Sequence, residues 1–289
     1  MDATTRIETA LDAALERVEI QKSPPKLAAA IRYAVFPGGA RIRPRLCLAV
    51  AKACGDDQPQ MAEAAASAIE MMHCASLVHD DLPCFDNADL RRGKASVHKA
   101  FGEAEAVLAG DGLIIMAFET LSRTAILAPA RFAGLVSILA RASGAPNGIV
   151  AGQAWECEPS IELSYYHRAK TGALFAAATM AGAQAAGYRP DAWRMLGERI
   201  GEAFQVADDI QDLVSNPQEC GKPCGQDEIH NRPSALRQLG VDGAVARLKL
   251  LMSEAVESIP ECPGAVELRG VILAESKRFM PKAAGLRAA

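Results

Sequence analysis

The stretch LVHDDLPCFDNADLRRGKAS, residues 77–96, sets Asp80, Asp81, Asp86 and Asp89 within ten residues, directly before Arg91, Arg92 and Lys94. Unpaired carboxylates that close repel one another, so the bare arrangement opposes folding. It makes sense if a multivalent cation sits among the acids and an anion among the bases. Taken alone, the stretch also reads as a solvated charged turn.

A second acidic cluster, FQVADDIQD at 204–212, weighs between these readings. On a helix Asp208 and Asp212 lie one turn apart on one face, with Asp209 beside them, and like charges there cost stability unless neutralised. An exposed acidic helix end is the alternative, but Phe204, Val206 and Ala207 just before it describe a wall. Asp80 and Asp208 stand 128 residues apart, each after an apolar helical run. If the two helices face one another, their carboxylates converge from opposite walls of a cleft. Oxygen-only ligands select Mg²⁺ or Mn²⁺ over zinc or copper. Mg²⁺ takes one or two carboxylates and leaves its other positions to water and phosphate oxygens. The pattern therefore asks for a phosphorylated substrate.

Basic residues supply the other half of such a site: Arg43 and Arg45 in GGARIRPR, Arg91, Arg92, Lys170 in HRAKTGALF, Lys222 and Arg232. Guanidinium forks suit phosphate oxygens. Each alone reads as a surface charge; beside two Asp clusters they read jointly as an anion site. His73 lies seven residues before Asp80, two turns up the same face, where a lone histidine would otherwise be a core residue.

The whole chain of 289 residues, 50% hydrophobic and 23% charged with a net charge of −4, is that of a soluble protein large enough to bury a core. A mildly acidic balance and 5% aromatics give no electrostatic or stacking basis for nucleic acid. Eight cysteines without a dense framework or secretory segment indicate free thiols and a cytoplasmic protein. Cys220 and Cys224 lack a second Cys/His pair, so a zinc site is not expected there. No apolar run reaches the roughly 18 residues of a membrane span.

Nearly every periodic segment has helical spacing: Ile7, Leu11, Leu15 and Val18 form one stripe, and Leu27, Ile31 and Val35 another. Ser23-Pro24-Pro25 reads as a helix start and Gly38-Gly39 as its end. A helix opening at Pro190-Asp191 is predicted to run to about Asn216, and 215–234 to be the longest loop, a candidate flap. Alanine-rich runs suit close helix packing, hairpin patterns are missing, and an all-α fold is expected. No linker or repeat divides the chain, so 1–289 reads as a single domain.

The motifs GGARIRP, HDDLPCFDNADLRRGKAS, GQAWE, KTGALF and FQVADDIQDL, followed by GKPCGQD, resemble in order those of trans-polyprenyl diphosphate synthases. Within that family the chain looks most similar to bacterial geranylgeranyl diphosphate synthases of carotenoid and photopigment pathways. The resemblance implies an all-α isoprenoid-synthase bundle with a central cleft between two Asp-rich helices, usually a homodimer. It implies condensation of isopentenyl diphosphate with an allylic diphosphate (dimethylallyl, geranyl or farnesyl). Asp80 and Asp86 would ligate two magnesium ions and Asp208 a third, with Asp81, Asp209 and Asp212 nearby. The allylic diphosphate would meet Arg91, Lys170, Lys222 and Arg232, and isopentenyl diphosphate Arg43, His73 and Arg92. Thr171 and Gln205 match positions near the reacting carbons.

Two departures stand out: the family's lysine after Gly-Gly is Ala40, and its flap lysine is Arg232. The small Ala75, five residues before Asp80, stands where an aromatic resembles a floor that stops growth at C15, so a C20 product is expected. A C15 synthase is the alternative. A cyclising terpene synthase, a head-to-head condensing enzyme and a non-catalytic subunit of a hetero-oligomeric synthase are weaker rivals. The first has no use for a second diphosphate site, and the last would be expected to lose metal aspartates that this chain keeps.

Overall fold

The computed structural model describes the backbone of residues 2–19, 23–36, 38–160, 162–214 and 235–279, with side chains over the same ranges except 163–164, 212–214, 235–238 and 276–279. Helical spacing in the sequence becomes helix almost throughout. The first elements are α1 (Ala3–Leu15), α2 (Pro25–Val35), α3 (Ile42–Ala53) and α4 (Pro59–Asp80). A short β1 (Leu90–Arg91) and β2 (Lys94–Ala95) precede α5 (Val97–Phe101), α6 (Glu103–Ser122), α7 (Pro129–Ser143), α8 (Ile149–Ala154) and α9 (Leu163–His167). Then come α10 (Ala173–Ala185), α11 (Arg194–Val214), α12 (Ala235–Glu257, kinked at Gly240) and α13 (Ala265–Phe279).

Start signals act as the sequence implies. Pro25, Pro59 and Pro129 each occupy the first turn of a helix, where the missing N–H has no intrahelical partner to lose. Asp2 caps α1 by accepting from the Thr5 N–H at 3.0 Å. The start of α2 differs from the reading above in one detail: Pro24 is the capping position and no side chain caps it. The loop expected at 215–234 lies outside the described residues.

Helix α10 is the axis of the bundle. Every residue from Leu174 to Ala183 is buried, and a helix apolar on all sides has to be enclosed. It is surrounded by α3, α4, α7 and α11. Small residues set the spacing. A Cβ on Gly182 would stand 2.3 Å from the Cys47 carbonyl of α3, and one on Gly197 of α11 would stand 2.5 Å from the Ala176 Cα. One continuous buried cluster runs from Ile7 to Ile272. Among the described residues no helix is long and apolar enough to cross a membrane.

The hairpin was not foreseen. β1 and β2 pair antiparallel with Leu90 opposite Ala95. Arg92 (φ 54°) and Gly93 (φ 74°) make the bend. Two consecutive positive φ values mark the tight hairpin turn whose twist matches that of paired strands, and glycine favours its second position.

Replacing Gly182 with Ala forces apart two backbones. We expect a loss of roughly 1–3 kcal/mol, measured by urea unfolding; unchanged stability would contradict the close seating of α10 on α3.

Candidate active site

Helix α4 ends at Asp80, and the chain then folds back upon it. The Asp86 N–H donates to the Asp80 carbonyl at 3.0 Å, Asn87 N–H to Leu82 O at 3.0 Å, and Ala88 N–H to Asp81 O at 3.2 Å. The return requires Asn87 at φ 45°, a conformation that asparagine tolerates better than most residues. Asp86 is thereby brought beside Asp80. Asp89, the fourth acid of the stretch, is turned away and pairs with Lys99 at 2.9 Å.

The basic side of the stretch folds onto the acidic side through the hairpin. Arg91 donates to the buried Asp81 and approaches Asp80 at 3.6 Å. Burial outweighs this guanidinium at Asp81, whose carboxyl is pushed up. Burial also works against the Arg91 charge, but Asp81 outweighs it and holds Arg91 above its ordinary range.

A third segment completes the cluster. Residues Arg168–Gly172 form a single π-helical turn, a distortion frequent at functional sites. Helix α8 abuts it closely, since a Cβ on Gly152 would stand 2.4 Å from the Lys170 backbone nitrogen. This approach delivers Glu156, from the 3₁₀ turn after α8, to Lys170. The Lys170 ammonium lies 2.5 Å from Glu156 Oε1 and 3.2 Å from Asp80 Oδ1. Tyr166 donates its hydroxyl to the same Glu156 oxygen at 2.5 Å, and Gln153 donates to the other at 3.1 Å. Asp80, Asp86 and Glu156 each offer an oxygen within 4.8 Å of the others.

The next residue faces the other wall. Thr171 donates to Gln205 Oε1 at 3.0 Å, and Gln205 Nε2 donates to Asp209 Oδ1 at 3.1 Å on α11. One π turn therefore reaches the first acidic segment through Lys170 and the second through Thr171. Asp208 is half-buried on α11 and Asp209 is buried. Lys222, Arg232 and the Asp212 side chain lie outside the described residues.

Arg43, His73 and Arg92 gather between α3, α4 and the hairpin. The buried Arg43 guanidinium stands 4.4 Å from the Phe175 ring centroid, and its NH1 makes a long 3.5 Å contact to His73 Nε2. Burial pushes Arg43 down to about 10, with Arg92 adding to the effect and Glu70 opposing it. Burial, then Arg43 and Arg92, hold His73 well below the usual histidine range, so the imidazole is neutral. Arg43 Nε is buried without a hydrogen-bond partner among the described residues. Such a group is costly unless a ligand satisfies it. Arg92 lies over Gly39, where a Cβ would come within 2.9 Å of its guanidinium carbon. Ala40 is exposed. Arg45 is elsewhere engaged, with Glu275 of α13 at 2.5 Å.

Two contributors escaped the sequence reading. Glu156 sits in GQAWE, a motif noted above but given no role; its proximity to Lys170 depends on Gly152 and the π turn. Arg41 is buried with φ 51° and donates to Glu70 at 2.7 Å, Glu8 at 2.8 Å and the Val35 carbonyl at 2.9 Å. It fixes the start of α3 two residues before Arg43. Only the polar neighbourhood of GGARIRPR could have signalled it.

The donor set fits a hard divalent cation: all carboxylate, close-set and half-buried. Around it, the buried guanidinium, the neutral imidazole and the exposed Arg92 fit an anion with several oxygens.

The family model described as polyprenyl synthetase matches residues 24–267. The geranylgeranyl diphosphate synthase of Cereibacter sphaeroides is 56% identical over 276 residues, 96% of either chain. That of Rhodobacter capsulatus is 52% identical over 280 residues, 97% of either chain. Among solved structures, the geranyltransferase of Helicobacter pylori complexed with magnesium and isoprenyl diphosphate is similar at a TM-score of 0.78 and 30% identity, covering 96% of this chain and 97% of that one. With motifs, fold and relatives in agreement over most of its length, this chain belongs to the polyprenyl synthetase family.

Proposed function

We infer that this protein is a magnesium-dependent prenyltransferase that condenses isopentenyl diphosphate head-to-tail with an allylic diphosphate, with geranylgeranyl diphosphate (C20) as its main product. The observation that carries this reading is the joint presence of two anion-binding groups around one carboxylate cluster. Lys170 and Arg91 flank Asp80, while Arg43, His73 and Arg92 gather separately. A cyclase, with one diphosphate to hold, has no use for the second group.

Asp80 and Asp86, with Glu156 beside them, would hold magnesium from the α4 side, and Asp208, with Asp209 and Asp212, from α11; three ions is the number proposed. When bound, magnesium neutralises charge on the diphosphate oxygens. Lys170 and Arg91 would bind the allylic diphosphate and stabilise the negative charge that grows as its bond to carbon breaks. Lys222 and Arg232 are proposed for the same anion. Arg43 and Arg92 would take the oxygens of isopentenyl diphosphate, with neutral His73 oriented by Arg43. Thr171 and Gln205 would line the reacting carbons and keep water from the allylic cation. The final proton would leave with the released diphosphate; no side-chain base is assigned.

The C20 product is supported by α4 itself. Ala75 is buried, and its face continues seven residues back to Ala68. There Ala68, Ile69, Leu121, Leu135 and Ile138 line a small apolar void. Ala68 stands about 18 Å along the helix from Asp80 at 1.5 Å per residue. Between them Met71 and Met72 form an adaptable wall. The relatives from Cereibacter sphaeroides and Rhodobacter capsulatus are named geranylgeranyl diphosphate synthases, which favours this product over the C15 alternative.

We further propose that residues 1–289 act as one domain, on the single continuous core, and that the protein is a homodimer. Helix α6 exposes Leu108 and Ile115 at 53% and 68% on its outer face, apolar surface that a second copy of the chain would cover. The described cysteines are free, which suits the cytoplasm, and the product would enter isoprenoid and carotenoid biosynthesis.

The test is a chromatographic assay of dephosphorylated products after incubation with isopentenyl and dimethylallyl diphosphates. C20 product is expected; no condensation, or arrest at C15, would refute the reading. Asp80→Asn should cut turnover by about 10²–10³ or more. Glu156→Gln, which removes the charge that holds Lys170 and turns one accepting oxygen into an NH2 donor, should cut it roughly 10–100-fold and raise the magnesium requirement. Near-normal turnover of either variant at limiting magnesium contradicts these roles. Ala75→Phe should shift the product from C20 to C15 while condensation continues, and an unchanged C20 product would remove Ala75 from the chain-length path.

A further inference from the structure

Two cysteines far apart in the sequence meet on the side of α3 that the reaction does not use. Cys54 caps the C-terminal end of α3, with its N–H held by Val50 and Ala51 carbonyls. Cys262 lies in the connector between α12 and α13. The main chains touch beside them: the Gly264 N–H donates to the Ala53 carbonyl at 2.8 Å, and a Cβ on Gly264 would stand 2.7 Å from the Ala53 Cα. Each thiol perturbs the other's ionisation, as neighbouring groups do, and both are free.

We propose that Cys54 and Cys262 are a covalent modification site, an intramolecular disulfide pair that a small-molecule disulfide such as oxidised glutathione closes. A disulfide needs Cα atoms roughly 4.4–6.8 Å apart and side chains directed at one another. The main chains that touch at Ala53 and Gly264, one and two residues from the thiols, supply that approach. Cys54 is buried and Cys262 half-buried, so the reagent meets Cys262 first. Burial pushes both thiols up, that of Cys54 to about 12, so it is the greater accessibility of Cys262 that makes it the first nucleophile.

The Cys262 thiolate attacks one sulfur of the glutathione disulfide, breaking that S–S bond and releasing one glutathione thiolate. Cys54 then gives up its proton to water and attacks the Cys262 sulfur, forming the protein disulfide and releasing the second glutathione. Two protein thiols are oxidised and one glutathione disulfide is reduced to two thiols. The second step is intramolecular, between neighbouring residues, and therefore fast relative to capture of a second reagent molecule. The bond closes a very long loop, the case in which a cross-link restrains the unfolded chain most. It makes covalent the seat of α13 on α3, which the Arg45–Glu275 pair otherwise holds.

The full-length protein is treated with excess oxidised glutathione, digested without reductant and mapped by mass spectrometry, with thermal unfolding recorded before and after. A Cys54–Cys262 linked peptide pair is expected, with a Tm raised by several degrees and restored by reductant. Cys54→Ser and Cys262→Ser should each abolish both changes. The exposed Cys84 and Cys157 should take up glutathione singly in all three proteins, which establishes that the reagent acted. Recovery of Cys54 and Cys262 unlinked, or of Cys262 joined to another cysteine, while Cys84 is modified would overturn the proposal.

Discussion

The Lys170 ammonium, held between Asp80 and Glu156, is the contact around which the rest of the site is arranged. Like charges about 4.8 Å apart repel by roughly 3.5 kcal/mol at an effective dielectric constant of about 20, whereas opposite charges at about 3 Å attract by roughly 5–6 kcal/mol. One cation therefore offsets much of the crowding among Asp80, Asp86 and Glu156. Its position is fixed by covalent geometry that the neighbouring helices enforce. Gly152 lets α8 touch the π turn, the π turn aims Lys170 at the first acidic segment, and Thr171 follows to Gln205 on the second.

The same logic in reversed sign governs the α3 side. Arg43 is enclosed by Phe175 and Phe204 and keeps a buried N–H without a partner among the described residues. His73 beside it stays neutral because a second buried positive charge there would be too costly. The start of α3 is held in a left-handed conformation by the buried Arg41, Glu8 and Glu70 network, and Arg92 adopts a similar φ in the hairpin. Residues in this region of backbone space cost about 1–3 kcal/mol each. The cation-rich pocket is thus pre-formed at the expense of local stability, and an anion entering it finds donors already oriented.

Much of this was legible in the sequence. Asp80, Asp86 and Arg91 were, because a turn of like charges followed by opposite ones contradicts folding unless the groups are used. Helix α10 was, because a run of alanines with Leu174, Phe175 and Met180 leaves no charged face. Glu156 was not legible from the residues alone. A single acid in a short turn carries no periodic signal, and it reaches Lys170 only through a glycine contact and an extra residue in a helical turn. Arg41 and Glu70 stand 29 residues apart, and nothing local announces that both are buried together. The hairpin escaped because its strands are two residues long and carry no alternation to read. Contacts of long sequence separation, and distortions of one residue, are what pattern reading misses.

On the proposed function, the carboxylate cluster and the basic groups are two halves of one site, each completed by the other's ligand. Thermal unfolding in magnesium alone, in inorganic pyrophosphate alone, and in both together tests it directly, because a ligand stabilises in proportion to its preference for the folded state and coupled ligands stabilise beyond their sum. The two together should raise the Tm by clearly more than the sum of their separate effects, and the excess should disappear in Asp80→Asn. A strictly additive shift, or none, would contradict it.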